Sequence, residues 1–162
     1  MVILLKLWFE RFQAIVDFVV HLNSLQQRRH ALPAADGTTA LNALDAEVEV
    51  ASYAGRRWIP FTSLFRGPGQ SAVDSTREVI VAIRFKATRD HEASASSRIM
   101  RPQGVALPIM NMSVKVRVID DRIDEAAIAV APVAPTPFRC KQTEAFLKDK
   151  PATAETIEAA VA

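Results

Sequence analysis

The sequence predicts an α+β fold, an antiparallel β-sheet backed by C-terminal helices. Three observations carry that expectation. Met112-Ser113-Val114-Lys115-Val116-Arg117-Val118 alternates apolar and polar residues with period two, the pattern of an antiparallel strand with one wet face. Glu78-Val79-Ile80-Val81-Ala82-Ile83-Arg84-Phe85 is rich in β-branched residues between charges, a second strand. Near the C-terminus two helix starts appear, Thr136 before Pro137 and Thr153 with Glu155 and Glu158 after it.

The first stretch, Met1 to Asn23, predicts an amphipathic helix. Lys6, Glu10, Gln13, Asp17 and His21 fall four, three, four and four apart, a narrow polar stripe on an otherwise apolar helix. Glu10, Arg11 and Asp17 count against both a secretory signal and a transmembrane span. A helix packed on its own domain is expected, and attachment to a membrane surface is the alternative.

From Leu32 the pattern changes to short strands broken by turns. Ala46-Glu47-Val48-Glu49-Val50-Ala51 alternates, Tyr53-Ala54-Gly55-Arg56 reads as a turn, and Arg57-Trp58-Ile59-Pro60 as a returning edge strand. Phe65-Arg66-Gly67-Pro68-Gly69 reads as a loop, and Lys86 to Ser97 as a polar linker leading into a helix or turn. Beyond the alternating strand, Asp120-Asp121-Arg122 makes a turn and Ala126-Ala127-Ile128-Ala129-Val130 returns. The small alanines on that return strand call for something bulky packed over it. Val114, Val116, Val118, Ile128 and Val130 are expected on one buried face, under a helix that starts at Pro137 and contains Phe138 and Phe146.

Composition limits the function. Hydrophobic residues are 49% and charged residues 23% of the 162, a globular balance that fits one domain or two small pieces sharing a core. Twenty basic and eighteen acidic side chains are mixed along the chain, and the densest basic run is only Gln26-Gln27-Arg28-Arg29-His30. That distribution argues against nucleic-acid binding. Cys140 is alone, so neither an intrachain disulfide nor a Cys-based metal or iron–sulfur site is available, and a reducing compartment such as the cytoplasm fits. His21, His30 and His91 show no ligand spacing.

Two segments carry a family resemblance: Arg101-Pro102-Gln103-Gly104-Val105-Ala106-Leu107-Pro108-Ile109-Met110-Asn111, and Ala129-Val130-Ala131-Pro132-Val133-Ala134-Pro135-Thr136-Pro137-Phe138-Arg139 followed by Glu144-Ala145 and Lys150-Pro151. Both resemble the C-terminal domain of the FAD-binding subunit of molybdenum hydroxylases, the xanthine dehydrogenase and carbon monoxide dehydrogenase type. Upstream, Pro33-Ala34-Ala35-Asp36, Ala43-Leu44-Asp45-Ala46-Glu47-Val48 and Gly67-Pro68-Gly69 resemble the end of the FAD-binding domain. The resemblance implies three parts: an N-terminal helix outside the match (1–24), a remnant of the FAD-binding α+β domain (25–87) and the flavoprotein C-terminal domain (88–162).

Electron transfer is what the resemblance implies. In such enzymes a molybdenum-cofactor subunit hydroxylates the substrate, an iron–sulfur subunit of the 2Fe–2S kind relays electrons, and the FAD subunit passes them to NAD or another acceptor. Asp36 matches the family aspartate that contacts the adenosine part of FAD. Ile80 matches the apolar strand residue against the flavin ring, and is a plain core residue in either case. Arg98 falls near the lysine that many members place beside the flavin, where a cation favours negative charge on the ring.

The departures bear on the cofactor. Relatives of this type cradle the FAD pyrophosphate in two glycine-rich loops, where backbone N–H groups reach the phosphates. Only five glycines occur here, Gly37, Gly55, Gly67, Gly69 and Gly104, none adjacent. Leu25-Gln26-Gln27-Arg28-Arg29-His30-Ala31-Leu32 stands where the second loop is expected. Two readings follow: a truncated FAD-binding subunit that is not active alone, or a subunit-interaction module that binds no FAD.

Overall fold

The protein is described here from a computed structural model, which covers residues 36–101 and 107–161. The helix expected over Met1 to Asn23 lies outside the described residues, as does the Pro102–Ala106 part of the first family segment. Helix α1 (Asp36–Ala43) leads through Asp45, at φ 51°, into strand β1 (Glu47–Ser52). Val48 and Val50 are fully buried while Glu47 and Glu49 are not, so the sequence alternation sets the inward face. β2 (Gly55–Pro60) returns after a turn in which Gly55 takes φ 128°, a setting that suits glycine. β5 (Glu78–Arg84) pairs with the other edge of β1, giving the order β2-β1-β5.

Between β2 and β5 a 3₁₀ turn, Phe61–Leu64, buries Phe61 and Leu64 in the core of this sheet with Leu41, Val48, Val50 and Ile80. Phe61 meets Phe65 edge to face at 5.6 Å. Residues 65–69, expected as a loop, instead begin a small hairpin in which β3 (Phe65–Gly67) pairs with β4 (Gln70–Ser71). Pro68-Gly69 forms its turn, with Gly69 at φ 66°. The turn residues were legible, and the flanking strands are too short to show a period.

A second sheet has the order β6-β7-β8-β9, all antiparallel. It contains β6 (Glu92–Met100), β7 (Pro108–Ile119), β8 (Arg122–Ala131) and β9 (Phe138–Arg139). Asp120 and Asp121 both have positive φ, 49° and 57°, the two-residue turn that matches strand twist. β6 overturns the expected linker: Glu92-Ala93-Ser94-Ala95-Ser96-Ser97 is a strand. Its side chains are small and this edge strand is largely exposed, so it carries no apolar alternation, and its pairing with β7 creates it.

One face of the second sheet is the expected core except at Val118, which follows a register shift after Arg117 and lies outside the cluster. Ile123, Ile128 and Val130 are buried there, with Val114 and Val116 packed against them. Helices α2 (Lys141–Leu147) and α3 (Ala154–Val161) lie on this side, and Leu147 fills the core. Phe138 and Phe146 do not; they stay 40% and 42% exposed. The expected helix start at Pro137 also shifts. Phe138 and Arg139 pair with Val130 and Ala129, and the helix begins only at Lys141. A proline lacks the N–H that an edge strand can spare, so its presence fits either element. Thr153 does cap the last helix, accepting the Thr156 N–H at 3.4 Å.

The opposite face is not wet as the alternation suggested. α1 crosses β7 and β8 on this side, over Ala127, Ala129 and Ala131, none of which is exposed. Ser113 Oγ donates to Thr39 Oγ1 at 2.8 Å. Lys115, only 12% exposed in its side chain, reaches Glu125 at 3.3 Å, Asp45 at 3.6 Å and Glu92 at 3.8 Å. Ion pairs hold Lys115 on this polar face where water was expected. The alanines are small because a helix lies on them, as their clustering predicted. Ala129→Leu should therefore cost about 1–3 kcal/mol by overpacking, read as a lowered urea midpoint. An unchanged midpoint would show that α1 can be lifted freely from the sheet.

Candidate functional site

Asp36 opens α1, and its side chain lies outside the described residues. The other two expected site residues separate. Ile80 lies on β5 opposite Val50 and is 9% exposed. It is a core residue of the first sheet and offers little free surface. Arg98 lies on β6 opposite Asn111. Side chains alternate along strands, so Arg98 shares its face with Ser96, Asn111 and Ser113. Ser96 Oγ and Ser113 Oγ are 2.8 Å apart, and Ser113 reaches Thr39 of α1. The helix that Asp36 opens and the strand that carries Arg98 thus belong to one face of one sheet, and Ile80 belongs to the other sheet.

Asn111 is a residue that sequence reasoning missed. It is 4% exposed, and neither amide atom finds a hydrogen-bond partner among the described residues. An unpaired buried amide costs about 1–3 kcal/mol, so its retention beside Arg98 marks a place where an outside group could bond. Its only signal in the sequence is one amide in the apolar run Pro108-Ile109-Met110-Asn111-Met112. The side-chain amide of Asn42 in α1 is similarly buried and unpartnered among the described residues.

A charged network anchors α1 at its other end. Arg139, 10% exposed in its side chain, donates to Glu144 Oε1 at 2.5 Å, Asp45 Oδ1 at 2.5 Å and the Asn42 carbonyl at 3.1 Å. A cation at a helix C-terminus complements the dipole. Burial works against the Arg139 charge, but Glu144 and Asp45 outweigh it and raise its pKa. Burial likewise opposes the ionised Glu92, yet the Arg89 N–H and guanidinium and Lys115 hold its carboxyl below the usual range. Glu125 is lowered chiefly by the Arg89 hydrogen bond.

These groups are engaged in ion pairs and point to positioning. Among the described residues no cluster of His, Cys, Asp and Glu could hold a metal ion, and no helix is long and apolar enough to cross a membrane. For a flavin cofactor the fit is partial. A cation, an orphaned amide and a helix start suit a polar ring edge or a ribose, while the described glycines supply no adjacent pair to cradle a pyrophosphate.

Comparisons with known proteins agree with this architecture. The CO dehydrogenase flavoprotein C-terminal domain matches residues 95–162, and the FAD binding domain in molybdopterin dehydrogenase matches residues 29–85. A xanthine dehydrogenase FAD-binding subunit of Escherichia coli is 27% identical over 126 residues, 77% of this chain and 43% of that protein. A nicotinate dehydrogenase FAD-subunit of Eubacterium barkeri is 28% identical over 130 residues, 78% of this chain and 44% of that protein. Among solved structures, carbon monoxide dehydrogenase from Hydrogenophaga pseudoflava superposes with a TM-score of 0.74 at 26% identity, covering 82% of this chain and 45% of that one. Quinoline 2-oxidoreductase from Pseudomonas putida shares the fold with a TM-score of 0.72 at 21% identity, covering 83% of this chain and 46% of that one. The chain therefore spans less than half the length of the relatives it matches.

Proposed function

Because the chain belongs to the family of FAD-binding subunits of molybdenum hydroxylases, in their C-terminal part, we propose that it helps to hold FAD on an electron path. That path runs from a molybdenum-cofactor subunit through an iron–sulfur subunit to FAD, and on to NAD or another acceptor, in the cytoplasm. FAD, when bound, supplies the redox chemistry, and the protein binds and orients it. The observation that carries the reading is the sheet face shared by α1, Arg98 and the orphaned Asn111.

In this reading the Asp36 carboxylate accepts hydrogens from the adenosine part. Arg98 places a positive charge near the flavin, which favours electron density on the ring. Asn111 supplies a donor and an acceptor. Ile80 backs the strand from inside the core. The proposed boundary between residues 87 and 88 falls in the coil between β5 and β6.

A second reading, a subunit-interaction module without FAD, is favoured by the missing glycine pairs. Co-expression with the molybdenum and iron–sulfur subunits separates the two. Visible flavin absorbance should travel with the assembled complex on gel filtration, and Asp36→Asn or Arg98→Gln should reduce it without dispersing the complex. An assembled complex free of flavin would sink the FAD reading and leave the interaction module.

A further inference from the structure

A second candidate site lies on the first sheet, and Asp36, Arg98 and Asn111 are not among the residues that line it. An open cleft of about 640 Å³ is lined by Tyr53 in the β1–β2 turn, Arg57 of β2, Arg66 of β3 and Arg77 ahead of β5. Guanidinium groups on one cleft repel unless something answers them. Glu78 answers Arg57 at 2.5 Å, and Asp74 lies 4.0 Å from Arg77. Both acids are otherwise turned into their own loop. Glu78 Oε2 accepts the Asp74 N–H at 3.1 Å, and Asp74 Oδ1 accepts from the Thr76 N–H and hydroxyl at 3.0 and 2.7 Å. Arg66 has no ion pair or hydrogen bond among the described residues. The lining thus carries one cation in excess.

The remaining wall decides the ligand class. Tyr53 is fully exposed, so a whole aromatic face is open to stacking. Arginine forks suit phosphate oxygens, and a cleft of several hundred Å³ is the size of a small-molecule site. An acidic peptide would use the arginines but has no need of the flat ring. We propose that this cleft binds a nucleoside phosphate, with the phosphate on Arg66 and Arg77 and the base against Tyr53. The site is independent of the flavin face.

Calorimetric titration of the full chain with AMP, adenosine and inorganic phosphate tests it. AMP should bind saturably in the sub-millimolar range, about tenfold more tightly than adenosine or phosphate alone. Arg66→Gln should weaken AMP about tenfold, and Tyr53→Ala should bring AMP down to the affinity of inorganic phosphate. Both side chains are exposed, so unchanged thermal melting should confirm that the variants fold. No saturable AMP binding, AMP no tighter than phosphate, or affinity untouched by Arg66→Gln would overturn the proposal. So would AMP binding lost on Asp36→Asn but kept in Arg66→Gln, which would place the nucleotide at the flavin face.

Discussion

Arg139→Gln is expected to lower the unfolding free energy by about 3–5 kcal/mol, because it breaks a buried ion pair from one side. Arg139 joins three elements: Glu144 of α2, Asp45 after α1 and the C-terminal carbonyl of α1 at Asn42. Glu144 is only 9% exposed, and its Oε1 also accepts the Ile128 N–H at 2.8 Å. Glutamine removes the charge and leaves that carboxylate buried with Lys141, at 3.2 Å, as its remaining cation. Urea denaturation measures the loss. A change under about 1 kcal/mol would show that the pair behaves like an exposed surface bridge.

The same variant should alter the pH dependence of stability. Burial raises the Glu144 pKa, but hydrogen bonds from Arg139, the Ile128 N–H and Lys141 outweigh it, and the carboxyl titrates below its ordinary 4.5. A lowered folded value contributes stability above 4.5 that is lost as pH falls through the folded value. Without Arg139, burial leads and the folded value rises. The contribution then reverses: it is present below 4.5 and lost as pH climbs through the raised value. Between mildly acidic and neutral pH the wild type should stay flat in this respect while the variant weakens. Parallel profiles would mean that Lys141 and Ile128 alone keep Glu144 ionised.

The elements legible in the sequence are those with an apolar face that the local pattern marks. β1 and β7 alternate Val with polar or charged residues, so periodicity located them, and β5 stood out as a β-branched run between charges. β6 escaped because Ala and Ser give no contrast between its faces, and its register exists only through β7. The inner polar face of β7 escaped for a different reason. Alternation distinguishes two faces but does not say what covers them, and Ser113 meets α1 and Lys115 meets Asp45 just after it, where water was expected. Only the alanines of β8 hinted at that helix. For the candidate site, Asp36 and Arg98 were named from the family resemblance alone. That α1 packs on the sheet face carrying Arg98 was not legible, because it depends on where α1 crosses the strands, and Asn111 carried no motif at all.

The chain alone is expected to bind FAD more weakly than the low micromolar range. The FAD pyrophosphate carries two negative charges, and taking them from water requires several directed N–H donors or cations. The sequence has no adjacent glycines to offer such a cradle. Asp36, as a carboxylate, does nothing for phosphate, and Arg98 is one cation. Ile80 is 9% exposed, so its contact with a ring falls short even of one open face. One open face would bury about 100 Å², worth roughly 2–3 kcal/mol at about 25 cal/mol per Å². Association itself costs at least about 4 kcal/mol, so apolar contact cannot carry the complex. Titration followed by flavin fluorescence measures the outcome. Sub-millimolar binding that Arg66→Gln removes would belong to the arginine cleft. Low-micromolar or tighter binding that survives Arg66→Gln would sink the expectation, and would mean that Arg28 and Arg29 have taken over the phosphates.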